Sequence, residues 1–371
     1  MTTRNLLLAI ALTGVLTIPA TAQTTRKFTA SKANDFGLVY TLPLTAIDVT
    51  VEAEKLVRTR GEFYKYARKY LNIDPILEDA TLWTIKSAAA NPRGTTAGND
   101  SIDERYLVQL KGGTQPFMML TDESMPLSIN IEETSVVETP NKIPVAHAAD
   151  PTPLEGQAAR QAVTEEMLQA RSVAKRAELA ASRIYELRQT RSDIISGQAD
   201  GMPTDGEAMK LALDNLDKQE AALTAMFIGT ESKSTDVRTF SVIPEQLSAR
   251  GDKQRIVVAR VSATDGIVEP DDLSGMPVEL IIEAESIGEM PTNEKGQPKP
   301  FPKGGFAYRV PGRGNVSVTA NGRNLFNDSF DIAQYGIVYG LEPGLFTDKK
   351  APAYARFDPT TGAIVEMGTA Q

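Results

Sequence analysis

The sequence predicts an α+β protein in which two β-rich regions flank a long antiparallel helical hairpin. Three observations support this fold class. Residues 157–195 contain neither proline nor glycine and are rich in Ala, Glu, Arg and Leu, which favour helix. Apolar residues on both sides of the helical region recur at every second position, as in β-strands. Asn321 and Gly322 stand between two such segments and indicate a tight β-hairpin, since both residues of that turn must accept positive φ.

Residues 1–22 have the pattern of a secretory signal peptide. Arg4 supplies the positive charge, residues 6–18 are mainly apolar, and Ala20 and Ala22 complete the small-x-small pattern before cleavage. We expect cleavage after Ala22 and export to the periplasm or the outer-membrane region. A run of about 13 apolar residues is shorter than the roughly 20 that span a bilayer, and no cysteine follows it. The sequence therefore predicts no transmembrane segment in the mature chain and no lipid anchor; a buried first helix is the alternative.

Residues 23–135 are predicted to form a β-rich N-terminal domain with one short helix. Residues 37–51 alternate as a strand that bends at Pro43. Residues 61–71 have the amphipathic pattern of the helix, with Phe63 on its apolar face. Further strands are predicted at residues 82–89, 106–110 and 116–120.

Two connecting segments are predicted from their polarity and proline content. Residues 91–104 are polar and contain glycine, so we expect a long loop. Residues 136–155 hold four prolines and little periodicity, which predicts a Pro-rich linker. The chain's single histidine, His147, lies in this linker and is expected to be exposed.

Residues 156–228 are predicted to form the helical hairpin. Its first arm carries an apolar seam with heptad spacing and small side chains, which let a neighbouring helix approach closely. The seam consists of Val163, Met167, Ala170, Ala174, Ala177, Ala181 and Ile184. The second arm is shorter, so part of the seam would have no partner within the hairpin. We expect the seam to contact an envelope protein or a second copy of the chain, with packing on the β regions as the alternative.

Residues 236–348 are predicted to form a β-rich C-terminal domain. Its strands are predicted at residues 238–243, 255–262, 278–284, 306–310 and 335–341. Residues 311–315 are predicted to be a basic turn between strands, with anion binding as the alternative. Residues 349–371 are predicted to be a tail that frays after Pro359.

Composition excludes several classes of site. The chain has 371 residues, no cysteine and one histidine, which excludes thiol nucleophiles, Cys-ligated zinc, iron–sulfur clusters, disulfides and multi-His metal sites. A net charge of −9 argues against nucleic acid as a partner. The sequence contains no phosphate-binding or dinucleotide-binding fingerprint. We therefore expect no cofactor and no metal.

Carboxylates are the remaining acid–base candidates. They cluster in two predicted loops, as Asp100, Asp103 and Glu104, and as Asp271 and Asp272. Glycosidases need two carboxyl groups about 5 Å apart or about 6.5–9.5 Å apart, a distance that only a structure gives. A carboxylate-dependent hydrolase is therefore an alternative function, and solvated loop acids are the simpler interpretation.

Aromatic residues and one modification motif complete the candidates. Phe63, Tyr64, Tyr66 and Tyr70 offer stacking faces to a sugar or lie half-buried against a core, and Trp83 is expected in the core. Ser101 follows Asp100 and precedes an isoleucine, the Asp-Ser/Thr-aliphatic form of periplasmic O-glycosylation in Bacteroidetes-type bacteria. Ser101 is therefore a candidate glycosylation site.

Three segments carry a family resemblance. They are FTASKANDFGLVYTLPLTAIDVTVEAEK at 28–55, GEFYKYARKYL at 61–71 and AQYGIVYGLEP at 333–343. With the signal peptide and the helical region, the whole chain resembles a domain-of-unknown-function family of exported proteins from Bacteroidetes-type bacteria. The resemblance implies a periplasmic or envelope location and no established activity or catalytic residues. We expect a non-enzymatic envelope protein that uses the hairpin for interaction, with a glycan binder or hydrolase as the alternative.

Overall fold

The architecture comes from a computed structural model that describes residues 24–27, 37–96, 105–109, 116–132, 161–198, 206–348 and 350–369. Of these residues, 47% lie in strands and 23% in helices. The strands are β1 (Thr24–Lys27), β2 (Leu38–Thr41), β3 (Leu44–Thr59), β4 (Ala80–Thr95), β5 (Arg105–Gln109), β6 (Met118–Leu120), β7 (Pro126–Ile129), β8 (Thr230–Val242), β9 (Lys253–Ser262), β10 (Gly266–Val268), β11 (Met276–Ser286), β12 (Phe306–Ala320), β13 (Arg323–Leu341), β14 (Ala353–Phe357) and β15 (Ile364–Thr369). The helical segments are a 3-10 turn (Tyr64–Tyr66), α1 (Ala67–Leu71), α2 (Glu165–Gln169), α3 (Val173–Ser196), α4 (Gly206–Ile228) and α5 (Pro343–Phe346).

Two antiparallel sheets pack face to face at the centre of the molecule. One has the strand order β4-β3-β8 and the other β10-β9-β11-β12-β13. Their facing side chains form one apolar core in which Val49, Ile282 and Val316 are fully buried. Strand side chains alternate between the two faces of a sheet, so the neighbouring Asp48 and Thr50 of β3 point to the other face.

Smaller sheets cover one end of β12 and β13. Their orders are β1-β5-β2 and β15-β14-β7-β6. They share a second core, in which the rings of Phe306 and Phe346 meet edge to face with centroids 5.4 Å apart. The buried Tyr40 hydroxyl of β2 donates a hydrogen bond to the Ala307 carbonyl of β12 at 3.1 Å. These sheets therefore extend the sandwich at this end.

A helical layer packs at the end of the β4-β3-β8 sheet where β3 finishes and β8 begins. β3 runs into the 3-10 turn and α1, and α4 ends directly before β8. The layer has its own core, in which Phe63 and Phe227 are buried with ring centroids 5.3 Å apart. The Phe63 N–H donates to the Met226 carbonyl at 2.7 Å. A Cβ on Gly61 would collide with the same carbonyl oxygen, so the chain needs glycine there.

The predicted fold class is wrong, because the protein is β-rich and its described residues form no long antiparallel helical hairpin. The predicted first arm divides into α2 and α3. The Thr164 hydroxyl caps α2, Ala170 adopts an extended conformation, and the Ser172 hydroxyl accepts a hydrogen bond from the Lys175 N–H to begin α3. Ser and Thr side chains favour new helix starts over helix interiors. α3 and α4 are joined by ion pairs such as Arg188–Glu220 at 2.7 Å and lie within the helical layer.

The two β-rich regions also share sheets. β3 lies in the predicted N-terminal region and β8 begins before the predicted C-terminal one, yet they pair from Ile47↔Val242 to Thr59↔Thr230. The central core takes side chains from both regions. The β regions therefore do not flank the helices as separate bodies.

Several local predictions are corrected, whereas the predicted tight β-hairpin is confirmed. Residues 311–315 form no turn, since β12 continues through them with a register shift between Val310 and Gly312. β4 extends through part of the predicted loop 91–104, and β14 and β15 lie in the predicted tail. The Asn321–Gly322 turn is confirmed, with φ of 51° and 71° between β12 and β13.

Tyr335→Phe should raise the free energy of unfolding. The Tyr335 side chain is fully buried, its hydroxyl has no hydrogen-bond partner among the described residues, and burial raises its pKa to about 12. A buried unpaired hydroxyl costs about 1–3 kcal/mol, so removing it should stabilise the protein by about 1 kcal/mol in urea unfolding. Tyr40→Phe is the control, because it deletes a hydroxyl that does form a hydrogen bond and should destabilise by about 1 kcal/mol. Equal effects of the two substitutions on the free energy of unfolding would contradict the assignment of the Tyr335 hydroxyl as unpaired and the Tyr40 hydroxyl as hydrogen-bonded.

Candidate functional site

Several residues singled out from the sequence lie outside the described residues. They are Ala22, Asp100, Ser101, Asp103, Glu104 and His147. The signal peptide 1–22 and the linker 136–155 also lie outside them. Cleavage, glycosylation of Ser101 and any role of the first acidic loop therefore stay predictions.

The apolar seam lies mainly inside the helical layer. Met167, Ala177, Ala181 and Ile184 are buried in its core together with Phe63. The other three members of the seam, Val163, Ala170 and Ala174, are partly exposed. The four buried members contact the rest of this chain and so offer no surface to a partner.

The second acidic loop connects β10 to β11 and shows no convergence with other acids. Asp271 and Asp272 are exposed. The Asp272 carboxylate accepts a hydrogen bond from the Ser274 N–H at 2.9 Å, which lowers its pKa. No hydrogen bond or ion pair between described residues joins either acid to the tyrosines near α1. This geometry is that of a local turn.

The outward face of the β4-β3-β8 sheet carries a ladder of paired charges. The Lys86 ammonium and the Ser87 hydroxyl bind the Glu52 carboxylate and lower its pKa. Asp48 and Glu54 of β3 pair in the same way with a base on β4 and a base on β8. Cross-strand pairs of this kind stabilise a sheet, so these acids have a structural role. Since the Glu52 pKa is lowered in the fold, its contribution is present above its ordinary pKa and is lost as the pH falls.

A groove of about 580 Å³ opens beside the connection between β3 and β4. It is lined by Tyr64, Lys65, Arg68, Asp74, Pro75 and Leu77. Asn72, at φ 53°, ends α1 in the left-handed conformation and turns the chain back toward residues 74–77. The Arg68 guanidinium binds the Asp74 carboxylate at 2.6 Å. This ion pair links the helical wall of the groove to the segment after α1.

Cations lie close to the Tyr64 ring of this groove and to the ring of Tyr70 on the neighbouring helix α1. The Arg60 guanidinium and the Lys65 ammonium lie 5.5 and 5.7 Å from the centroid of the Tyr64 ring. The Lys69 ammonium lies 4.8 Å from the Tyr70 ring. Within the described residues, Lys65 has no carboxylate partner. Leu77 is 64% exposed, so the groove combines an aromatic face, an apolar contact and a free positive charge.

The wall of the groove is held from behind by the helical layer. Ala67 and Leu71 of α1 are buried in the core of that layer. The Tyr185 hydroxyl of α3 donates a hydrogen bond to the Tyr70 carbonyl at 2.8 Å. Burial of one face of α1 therefore directs its cations outward and leaves Tyr64 half-buried at the surface.

Sequence reasoning found part of this groove. Tyr64 was a candidate for stacking, whereas Asp74, Pro75 and Leu77 were not recognised; Tyr66 and Tyr70, the other predicted stacking tyrosines, do not line the groove. The alternation of tyrosine with Lys65 and Arg68 in residues 64–70 was the available signal. The ion pair between Arg68 and Asp74 depends on the turn after α1, which the sequence pattern did not predict.

A comparison with known families identifies one matching family. A family model with the description "Domain of unknown function (DUF4831)" matches residues 36–365. The chain belongs to this family. No curated protein and no solved structure matches the chain. The DUF4831 match includes the sandwich, the helical layer and the groove, and it confirms the resemblance to a domain-of-unknown-function family.

Among the described DUF4831 residues, no three His, Cys, Asp or Glu side chains are grouped so that they would hold a metal ion. Within the same ranges, no helix has the length and apolar character needed to cross a bilayer.

Proposed function

We propose that the protein is exported to the periplasm or outer-membrane region and acts there by binding rather than by catalysis. Its ligand-binding surface is the groove beside α1, and its ligand is an acidic polysaccharide of the envelope. The signal-peptide pattern of residues 1–22 supports export. The resemblance to exported Bacteroidetes-type proteins supports the same location. Asp74 is the carboxylate that lines the groove. Because it is ion-paired with Arg68, it is held as a structural contact and not as an acid–base group, which supports binding over catalysis.

The observation that carries this proposal is the Tyr64 ring, over which the Arg60 guanidinium and the Lys65 ammonium lie. A sugar ring presents an apolar C–H face that packs on an aromatic ring, as other apolar groups do. Its acidic substituent would form a charge-assisted hydrogen bond with the Lys65 ammonium. The exposed Leu77 adds apolar contact at the edge of the groove. Binding sites combine apolar walls with a few placed polar groups in this way.

Lys65→Glu should weaken binding of a polyuronate oligosaccharide by about tenfold or more, which corresponds to about 1.4 kcal/mol. Tyr64→Ala should weaken it similarly, because it removes the stacking face. Isothermal titration calorimetry with the purified protein measures both effects. Because the interaction is partly ionic, affinity should also fall as the salt concentration rises.

Lys218→Glu on α4 is the matched control, since Lys218 is an exposed lysine outside the groove. It makes the same charge change and should leave affinity unaltered. A neutral glucan serves as the second control and should bind more weakly than the polyuronate. Absence of polyuronate binding by the unaltered protein, or equal losses for Lys65→Glu and Lys218→Glu, would refute the proposal.

A further inference from the structure

β8 is a long and regular edge of the β4-β3-β8 sheet. It has 13 residues, and it pairs with β3 on one side without a register shift. On its other side, no backbone hydrogen bond from a described residue reaches Thr230–Val242. A row of unpaired backbone N–H and C=O groups is a template for another strand.

The opposite edge of the same sheet is blocked. β4 contains Pro92, which has no N–H to donate. The register of β4 shifts near Lys86, and the Trp83 N–H already donates to the Ala263 carbonyl at 2.9 Å. Proline, bulges and covering contacts are the usual protection of an edge strand. Since β8 has no proline and no bulge, the two edges of one sheet differ in their capacity to accept a new strand.

The outward side chains of β8 leave its middle free of unpaired charge. Near its start, Glu231 and Lys233 turn toward β3, where they bind Arg58 at 2.7 Å and Glu54 at 3.1 Å. The next outward residues are Thr235, Val237 and Thr239. β-branched side chains favour strand pairing. The central part of β8 therefore presents residues suited to a cross-strand contact.

The inward charges of β8 select a second copy of β8 as the partner. Asp236 and Arg238 are 34% and 48% exposed and pair with each other at 3.3 Å. An inward charge on an edge strand ordinarily opposes association. In an antiparallel pair of two β8 strands centred on Val237, however, each Asp236 lies opposite an Arg238. The sequence of this edge is thus complementary to itself in that register.

We propose that two copies of the chain associate through β8, antiparallel about Val237, with Asp236 of each copy opposite Arg238 of the other. The two three-stranded sheets then become one six-stranded sheet. Residues 232–242 overlap fully in this register, which provides roughly ten backbone hydrogen bonds. The interface is isologous, as two-fold symmetry requires. This inference does not depend on the proposed ligand of the groove.

Charge reversal tests both the interface and its register. Arg238→Asp places two aspartates opposite each other in every pair, and Asp236→Arg does the same with arginines. Each single variant should raise the dimer dissociation constant by about a hundredfold or more, because opposed like charges oppose association strongly. A mixture of the two variants should form a heterodimer, and the double swap should restore the homodimer. Analytical ultracentrifugation measures the association of the two single variants, their mixture and the double swap.

Arg255→Asp on β9 is the control, because Arg255 is an exposed arginine that pairs with Glu279 in the other sheet. It should leave the dimer intact, and circular dichroism should show the same fold for every variant. A monomeric wild-type protein at high micromolar concentration would overturn the proposal. A dimer that both single reversals leave unchanged, or a mixture that stays monomeric, would also overturn it.

Discussion

Gly336→Ala should lower the free energy of unfolding by about 3 kcal/mol, near the upper end of the usual cost of overpacking. A Cβ at Gly336 would collide with the Val310 carbonyl oxygen of β12 and lie 2.7 Å from the Pro311 Cα. Both atoms belong to the backbone, so no side chain can move aside. The collision occurs where β12 and β13 change register between Val310 and Gly312. Urea unfolding followed by tryptophan fluorescence measures the loss.

Gly344→Ala is the matched control for this substitution. No atom lies within 4 Å of the position that a Cβ on Gly344 would occupy. We expect its free energy of unfolding to stay within about 0.5 kcal/mol of the original, as for most surface changes. Equal stabilities of the Gly336→Ala and Gly344→Ala variants would show that the close approach of β12 and β13 is absent.

Phe227→Ala should destabilise the helical layer by about 3–5 kcal/mol, the usual cost of deleting a buried aromatic side chain. Phe227 is completely buried and its ring packs against Phe63. Its loss removes contacts between α4 and the segment that carries the groove. Hydrogen exchange of α3 and α4 should therefore rise more than exchange in the sandwich, and thermal unfolding should begin at a lower temperature.

Leu211→Ala provides the comparison on the same helix. Leu211 is 72% exposed, so its truncation removes little buried area and should change stability by less than about 0.5 kcal/mol. A Phe227→Ala variant as stable as Leu211→Ala would contradict the assigned core. Since Phe63 directly precedes Tyr64, Phe227→Ala should also weaken ligand binding by the groove.

The proposed dimer and the proposed ligand have a common consequence. β8 begins at the helical layer, so antiparallel pairing places the two layers at opposite ends of the joined sheet. In the register centred on Val237, the two Thr230 residues are offset by 14 positions along the strand, or roughly 45 Å at about 3.3 Å per residue. A polymer that reaches both grooves would then bind the dimer more tightly than it binds one groove, because binding at the first groove raises the effective concentration of the polymer at the second. A soluble fragment shorter than this span would bind each groove independently.

Sequence reasoning predicted several strands and missed their partners. β9 and β11 lie where alternation predicted them, with some residues added at their ends. The pairing of β3 with β8 was not predicted, because residues far apart in the chain meet there. Hydrophobic periodicity reports which face of a strand is buried and carries no information about its neighbour. The fold class was therefore wrong although many of its elements were recognised.

The helical region shows a second kind of limit. Residues 157–195 consist largely of good helix formers, and α3 forms over much of that range. The break before α3 depends on Thr164 and Ser172, whose hydroxyls cap new helices. Their helix propensities differ little from those of their neighbours, so a pattern based on propensity extends through them. The capping contacts are seen only when the backbone positions are known.

Features that depend on neighbouring residues could be predicted from the amino-acid sequence alone. Asn321 and Gly322 make a hairpin because both accept positive φ, and residues 173–196 form a helix because their propensities agree. Contacts between distant segments, by contrast, set which strands share a sheet, where the apolar seam is buried and which side chains line the groove. Arg68 and Asp74 meet only because the chain turns at Asn72 above a core formed by distant helices. Local chemistry is encoded within a few residues, whereas packing depends on contacts between segments that periodicity cannot pair.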